Sequence, residues 1–172
     1  INSANPDPDG DGVYHMSPGD TVTYRLTYTL PTSDFESFQL DDYLPLPVLD
    51  VDDVGTWILD GTRTSDVTNA PASGHVRLTA DDTFTDYSGL APTITDNSAA
   101  NSVSFLYGAS HDITTQTTTI DLVFTVTVSN EPFADGMYLT NQVRAIEDGT
   151  PGTPSHVDQI VQIVLDEPVL NI

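Results

Sequence analysis

Residues 21–30 read TVTYRLTYTL and residues 119–128 read TIDLVFTVTV. In the first stretch Val22, Tyr24, Leu26, Tyr28 and Leu30 fall on one side of an extended chain, with Thr21, Thr23, Arg25, Thr27 and Thr29 on the other. In the second, Ile120, Leu122, Phe124, Val126 and Val128 alternate in the same way. A period of two sustained this long suits a strand with one packed face and one wet face, whereas a helix would repeat every 3.6 residues. The two stretches therefore predict long strands meeting in a core, with Tyr24, Leu26, Leu122 and Phe124 among its most buried side chains.

Working outward, further strand-like runs occupy 35–44 (FESFQLDDYL), 103–108, 137–146 and 157–165, with weaker ones near Trp57 and at 75–79 (HVRLT). Segments rich in Gly, Pro and Asp separate them, at 17–20 (SPGD), 130–136 (NEPFADG) and 147–154 (EDGTPGTP). No stretch carries a convincing helical period. Short strands divided by turn residues predict an all-β, antiparallel β-sandwich. Residues 45–102 are less regular and too long for a plain loop, which leaves weak strands, an inserted hairpin or a functional excursion as open readings.

Composition narrows the function classes. The 172 residues include four arginines, no lysine and 26 acidic residues, for a formal net charge of −22. Such a surface repels nucleic acid and anionic headgroups, so neither nucleic-acid binding nor membrane insertion is expected. Only Glu36, Glu131, Glu147 and Glu167 among the acids are glutamates; the rest are aspartates, which favour turns and metal loops. A highly hydrated surface of a salt-tolerant organism accounts for the acidity too, and the two readings are compatible. There is no cysteine, so disulfides cannot brace the fold.

In NPDPDGDG, residues 5–12, Asp7, Asp9 and Asp11 stand at positions 1, 3 and 5 of a calcium loop, with Gly12 where the chain must turn. Alternate aspartates can aim three carboxylates at one ion, and calcium takes six to eight hard oxygens. An EF-hand is excluded, because its twelfth position is Pro18 and no helices flank the loop. The remaining ligands would come from Asp20, from backbone carbonyls near Val13, or from another acidic loop. Asp50, Asp52 and Asp53 are the second candidate group. The competing structural reading is a solvated acidic linker, and the pairs Asp41–Asp42 and Asp81–Asp82 with Asp86 read more simply as solvated loops. DVGTW at 53–57 falls short of an Asp-box and occurs once, so Trp57 reads as a core or edge aromatic. His15, His75, His111 and His156 are scattered, and no HExxH or GxSxG occurs. No catalytic activity is expected.

SPGDTVTYRLTYTLP, FQLDDYLP, YLTNQV and VLDEPVLNI together resemble the DUF11-type, immunoglobulin-like repeats of large bacterial surface adhesins. The matching residues are Gly19, Asp20, Val22, Tyr24, Asp42, Leu44, Pro45, Leu139, Thr140, Asn141 and Val143. The match covers the first third and last quarter of the chain and leaves the middle unmatched. Many members of that family carry a Lys–Asn isopeptide bond tying the first strand to a later one. With no lysine present that bond cannot form, and the resemblance then implies ordinary hydrogen bonding for Asn141. The exit EPVLNI and the entry INSANP read as the ends of tandem modules on a stalk.

The resulting expectation is a single immunoglobulin-like β-sandwich module over 1–172, with a calcium-binding entry at 1–12, an irregular excursion at 45–102 and an exit linker at 166–172. Its role would be a calcium-stabilised spacer or scaffold in a secreted or surface-attached bacterial adhesin serving cell adhesion and biofilm. Its partners would be neighbouring domains of the same chain, and the module itself would be monomeric. The alternative is a binding module that grips a sugar, a peptide or another ligand of a host or bacterial surface through 45–102, with Trp57 or Tyr87 in contact.

Overall fold

A computed structural model describes residues 10, 12–30, 35–59, 71–78, 92–110, 118–131, 133–148 and 155–166. The described residues form β1 (Tyr14–Met16), β2 (Thr21–Leu30), β3 (Phe35–Tyr43), α1 (Val51–Val54), β4 (Ile58–Leu59), β5 (His75–Leu78), β6 (Thr93–Asn97), β7 (Ser102–Ser110), β8 (Thr118–Thr127), β9 (Met137–Asp148) and β10 (Ser155–Leu165). Two sheets result, one ordered β1-β10-β9-β3-β7-β6 and the other β2-β8-β5-β4. All pairings are antiparallel except β1 with β10 and β4 with β5. The chain is an all-β sandwich.

The two long alternating stretches face each other within one sheet. β2 and β8 pair from Thr21↔Thr127 to Leu30↔Thr118, which sets Tyr24 opposite Phe124 and Leu26 opposite Leu122. The Tyr24 and Phe124 rings stack with centroids 5.2 Å apart, and Phe105 of the facing sheet meets Phe124 at 5.5 Å. Tyr24, Leu26, Leu122 and Phe124 are 2%, 8%, 0% and 0% exposed, as the alternation predicts. Phe38, Leu40, Ile163 and Leu165 close the core from the other side.

The second face of β8 departs from the expectation of a wet surface, because Asp121, Val123 and Thr125 are buried as well. Their polarity is matched across the strands. Arg25 Nε donates to Asp121 Oδ1 at 2.9 Å and Arg25 Nη2 to Asp121 Oδ2, and the hydroxyls of Thr23 and Thr125 lie 3.0 Å apart. Such pairing lets a strand with polar letters on its outer face sit under cover, since a buried polar group is costly only when unpaired.

Residues 45–102 supply strands to both sheets. β6 joins the wider sheet beside β7, and β5 joins the narrower one beside β8. Asn101 anchors this region. Its side-chain amide donates to the carbonyls of Leu44 and Leu49, both at 2.8 Å, and its Oδ1 accepts from the amide of Val51. Its backbone is left-handed at φ 48°. The first and last of the described strands, β1 and β10, lie side by side at one edge of the wider sheet, Tyr14 opposite Ile163 and Met16 opposite Leu165, both running in the same direction.

Candidate functional site

In FESFQLDDY the strand period of two places Phe38, Leu40 and Asp42 on the inner face and Gln39 and Asp41 on the outer one. The structure corrects the reading of Asp41–Asp42 as a solvated loop. Asp41 is bound on the outer face by Gln39 Nε2 at 2.6 Å and by the hydroxyl of Ser104. Asp42 is 0% exposed. It belongs to the sandwich interior because it occupies a core position of a central strand.

Asn141, from β9, provides the partner of Asp42. Its Nδ2 donates to Asp42 Oδ1 at 2.8 Å, an ordinary side-chain hydrogen bond. Burial pushes the Asp42 carboxyl up to about 7, and the bond from Asn141 works against that rise. Tyr24 stands close by; burial, and then the charge of Asp42, raise its hydroxyl well above the usual phenol range. Asp42 Oδ2, Asn141 Oδ1 and Tyr24 Oη are buried without a hydrogen-bond partner. A cavity of about 180 Å³ lies between the sheets beside this cluster, with Tyr24 and Asn141 in its wall. Reading the strand period through Asp42 would have found the group; the neighbouring acid made the pair look like a loop.

The residues nominated from sequence as cation ligands are separated from this cluster. Asp7, Asp9 and Asp11 lie outside the described residues, as do Asp81, Asp82, Asp86 and Tyr87. Asp20 closes the SPGD turn, its Oδ2 accepting from the amide of Ser17 at 2.9 Å. Asp50 caps the short helix α1 by accepting from the amide of Asp52 at 2.9 Å, and Asp52 accepts from Ser98 Oγ at 2.6 Å. Asp53 is exposed. No three acidic or histidine side chains converge on one point among the described residues. Trp57 is half-buried and packs edge-on against Phe124 with ring centroids 5.8 Å apart, so it is an aromatic at the margin of the core.

No protein-family model matches the chain, and no curated protein matches it. Among solved structures it is similar to the collagen binding subdomain of the Enterococcus faecalis surface protein ACE, at 12% identity and a TM-score of 0.42, over 84% of this chain and 87% of that one. It is also similar to the collagen-binding domain from a Staphylococcus aureus adhesin, at 13% identity and a TM-score of 0.39, over 86% and 92%. A third is domains D2 and D3 of the major pilin SpaD from Corynebacterium diphtheriae, at 15% identity and a TM-score of 0.41; this chain covers 47% of that structure, and 87% of its own length is matched. Likeness at this level concerns architecture and transfers no ligand, partner or site residue.

Proposed function

We propose that this chain is a non-catalytic structural module of a bacterial surface protein, one that spaces or presents a neighbouring domain. The observation that supports this reading best is the placement of the first and last strands. β1 and β10 are parallel neighbours, so the chain enters and leaves in the same sense along one sheet edge. Two cross-links clamp this edge: the amide of Asp166 donates to the carbonyl of Met16 at 2.8 Å, and His15 Nδ1 lies 2.9 Å from Asp166 Oδ2. Tension applied through such strands shears their hydrogen bonds together instead of opening them one at a time. β10 in turn pairs along its whole length with β9, which passes the load to the middle of the sheet.

The DUF11-type affinity of the module and its setting on a stalk belong to this reading, supported by the motifs around Gly19, Asp42 and Asn141. Calcium belongs to it also. Three carboxylates at alternate positions form a hard-oxygen donor set of the kind calcium takes, and Asp7, Asp9 and Asp11 would hold the ion just ahead of β1. Asp20 and Asp50 are already engaged by backbone amides and are the weaker contributors. Bound calcium would neutralise carboxylates that otherwise repel one another.

Two copies joined in series test the reading by small-angle scattering in calcium and in chelator. The expected result is an elongated pair that stiffens in calcium, with the stiffening lost when Asp9 and Asp11 become asparagine. A compact, side-by-side pair would remove the spacer role, and equal stiffening by calcium, magnesium and sodium salts of matched ionic strength would remove the calcium site.

A further inference from the structure

Among the described residues the two sheets are unequal in width, and a groove lies where they fail to match. β2 pairs with β8 through all ten of its residues, yet its other edge pairs with no strand among the described residues. Beyond that edge the inner face of β10 lies partly open: Val157 is 52% exposed, whereas Ile163 and Leu165 further along the same face are fully buried. The 180 Å³ cavity fills this angle, between the β2 edge at Tyr24–Tyr28 and the β9–β10 floor at Val143, Ala145 and Val161. A free strand edge carries unpaired amides and carbonyls that another chain can complete at a spacing of about 4.8 Å.

The chemistry at the inner end selects what would enter. Asp42 Oδ2 and Asn141 Oδ1 are acceptors without partners, and Tyr24 Oη beside them is also unpartnered. Tyr24 and Asn141 line the cavity directly. Two buried acceptors and a hydroxyl call for a compact group with several N–H donors, and an alkylammonium supplies three at the end of an apolar stem. Leu26, Leu40, Val143 and Ala145 give that stem apolar walls. The 172 residues contain no lysine, and Arg25 and Arg144 are committed to Asp121 and Asp158. The net charge of −22 draws basic partners and repels a second copy.

We propose that an extended, lysine-bearing segment of a second, basic polypeptide adds, as a further strand, to the edge of β2 that no described strand pairs with, and places one lysine ammonium against Asn141 and Asp42. This is an interaction surface distinct from the spacer role and does not depend on it.

The test uses the whole chain and a short synthetic peptide alternating valine and threonine, with lysine at one of the valine-side positions. Norleucine, arginine and glutamate versions accompany it. Titration and residue-resolved hydrogen exchange are the readouts. Binding should slow exchange at alternate amides of β2 and at none of β6. The lysine peptide should bind about tenfold tighter than the norleucine one, the scale of a charge-assisted hydrogen bond to a buried acceptor, and the arginine and glutamate peptides should bind less well than lysine. Asp42→Asn should abolish the preference for lysine over norleucine. Val157→Arg, at an exposed position, should block every peptide while leaving the fold intact, so the proposal stays testable if the Asp42 variant fails to fold. Equal binding of lysine and norleucine, protection outside β2, or β2 edge amides already protected in the free protein would each overturn it. Protection that tracks protein concentration and self-association would overturn it in favour of a second copy.

Discussion

At neutral pH a carboxyl group with an ordinary pKa near 4 is ionised, but the fully buried Asp42 is raised to about 7. An acid whose folded pKa lies above its unfolded one binds its proton more tightly when folded, so its contribution is fully present below about pH 4. That contribution is lost as pH rises through about 7. The span corresponds to roughly 4 kcal/mol at most. Asp42→Asn should therefore gain stability relative to the parent between about pH 5 and 8 in denaturant titrations. A constant difference across that range would show that Asp42 is ionised throughout. Asn101 makes a separate residue-scale case. Its side chain holds three backbone groups and its φ of 48° favours glycine over other replacements. Asn101→Ala should cost about 2–4 kcal/mol by loss of these bonds, and Asn101→Gly about 1 kcal/mol less because it relieves the backbone. Chemical denaturation of both variants checks the order.

Among the elements, β2 and β8 carry the core, and truncation there should be expensive. Leu26→Ala should cost about 2–5 kcal/mol and Phe124→Ala about 3–5 kcal/mol. Melting of either variant within a degree or two of the parent would contradict the assignment of faces. These strands were readable because ten-residue alternation has one physical solution. β6 was not readable, because TITDN mixes exposed polar letters with a single half-buried Ile94 and takes its identity from pairing with β7. β1, at three residues, is too short to show a period and exists through its contact with β10. The buried outer face of β8 was hidden for a related reason: Asp121 and Thr125 look wet until Arg25 and Thr23 are set beside them. The polar cluster was half legible. Asn141 was singled out by the adhesin-repeat motif, whereas the inward placement of Asp42 needed the strand period to be carried through an acidic pair.

At the scale of the whole molecule, the proposed spacer role rests on the course of the chain through β1 and β10. In that role, a module with no disulfide, and no lysine for a lysine-based cross-link, would resist tension through packing, hydrogen bonds and the calcium proposed at its entry. Parallel β1 and β10 provide a sheared ladder at the edge through which the chain passes, and the long β9–β10 pairing stands behind it. The most direct test is single-molecule pulling along two axes. One axis runs through the chain ends, loading β1 against β10. The other runs through cysteines introduced at Thr93 and Leu106, which face each other across the β6–β7 pair and load it bond by bond. A load-bearing β1–β10 edge requires a clearly higher unfolding force through the ends than across β6–β7. An equal or lower force through the ends would contradict it.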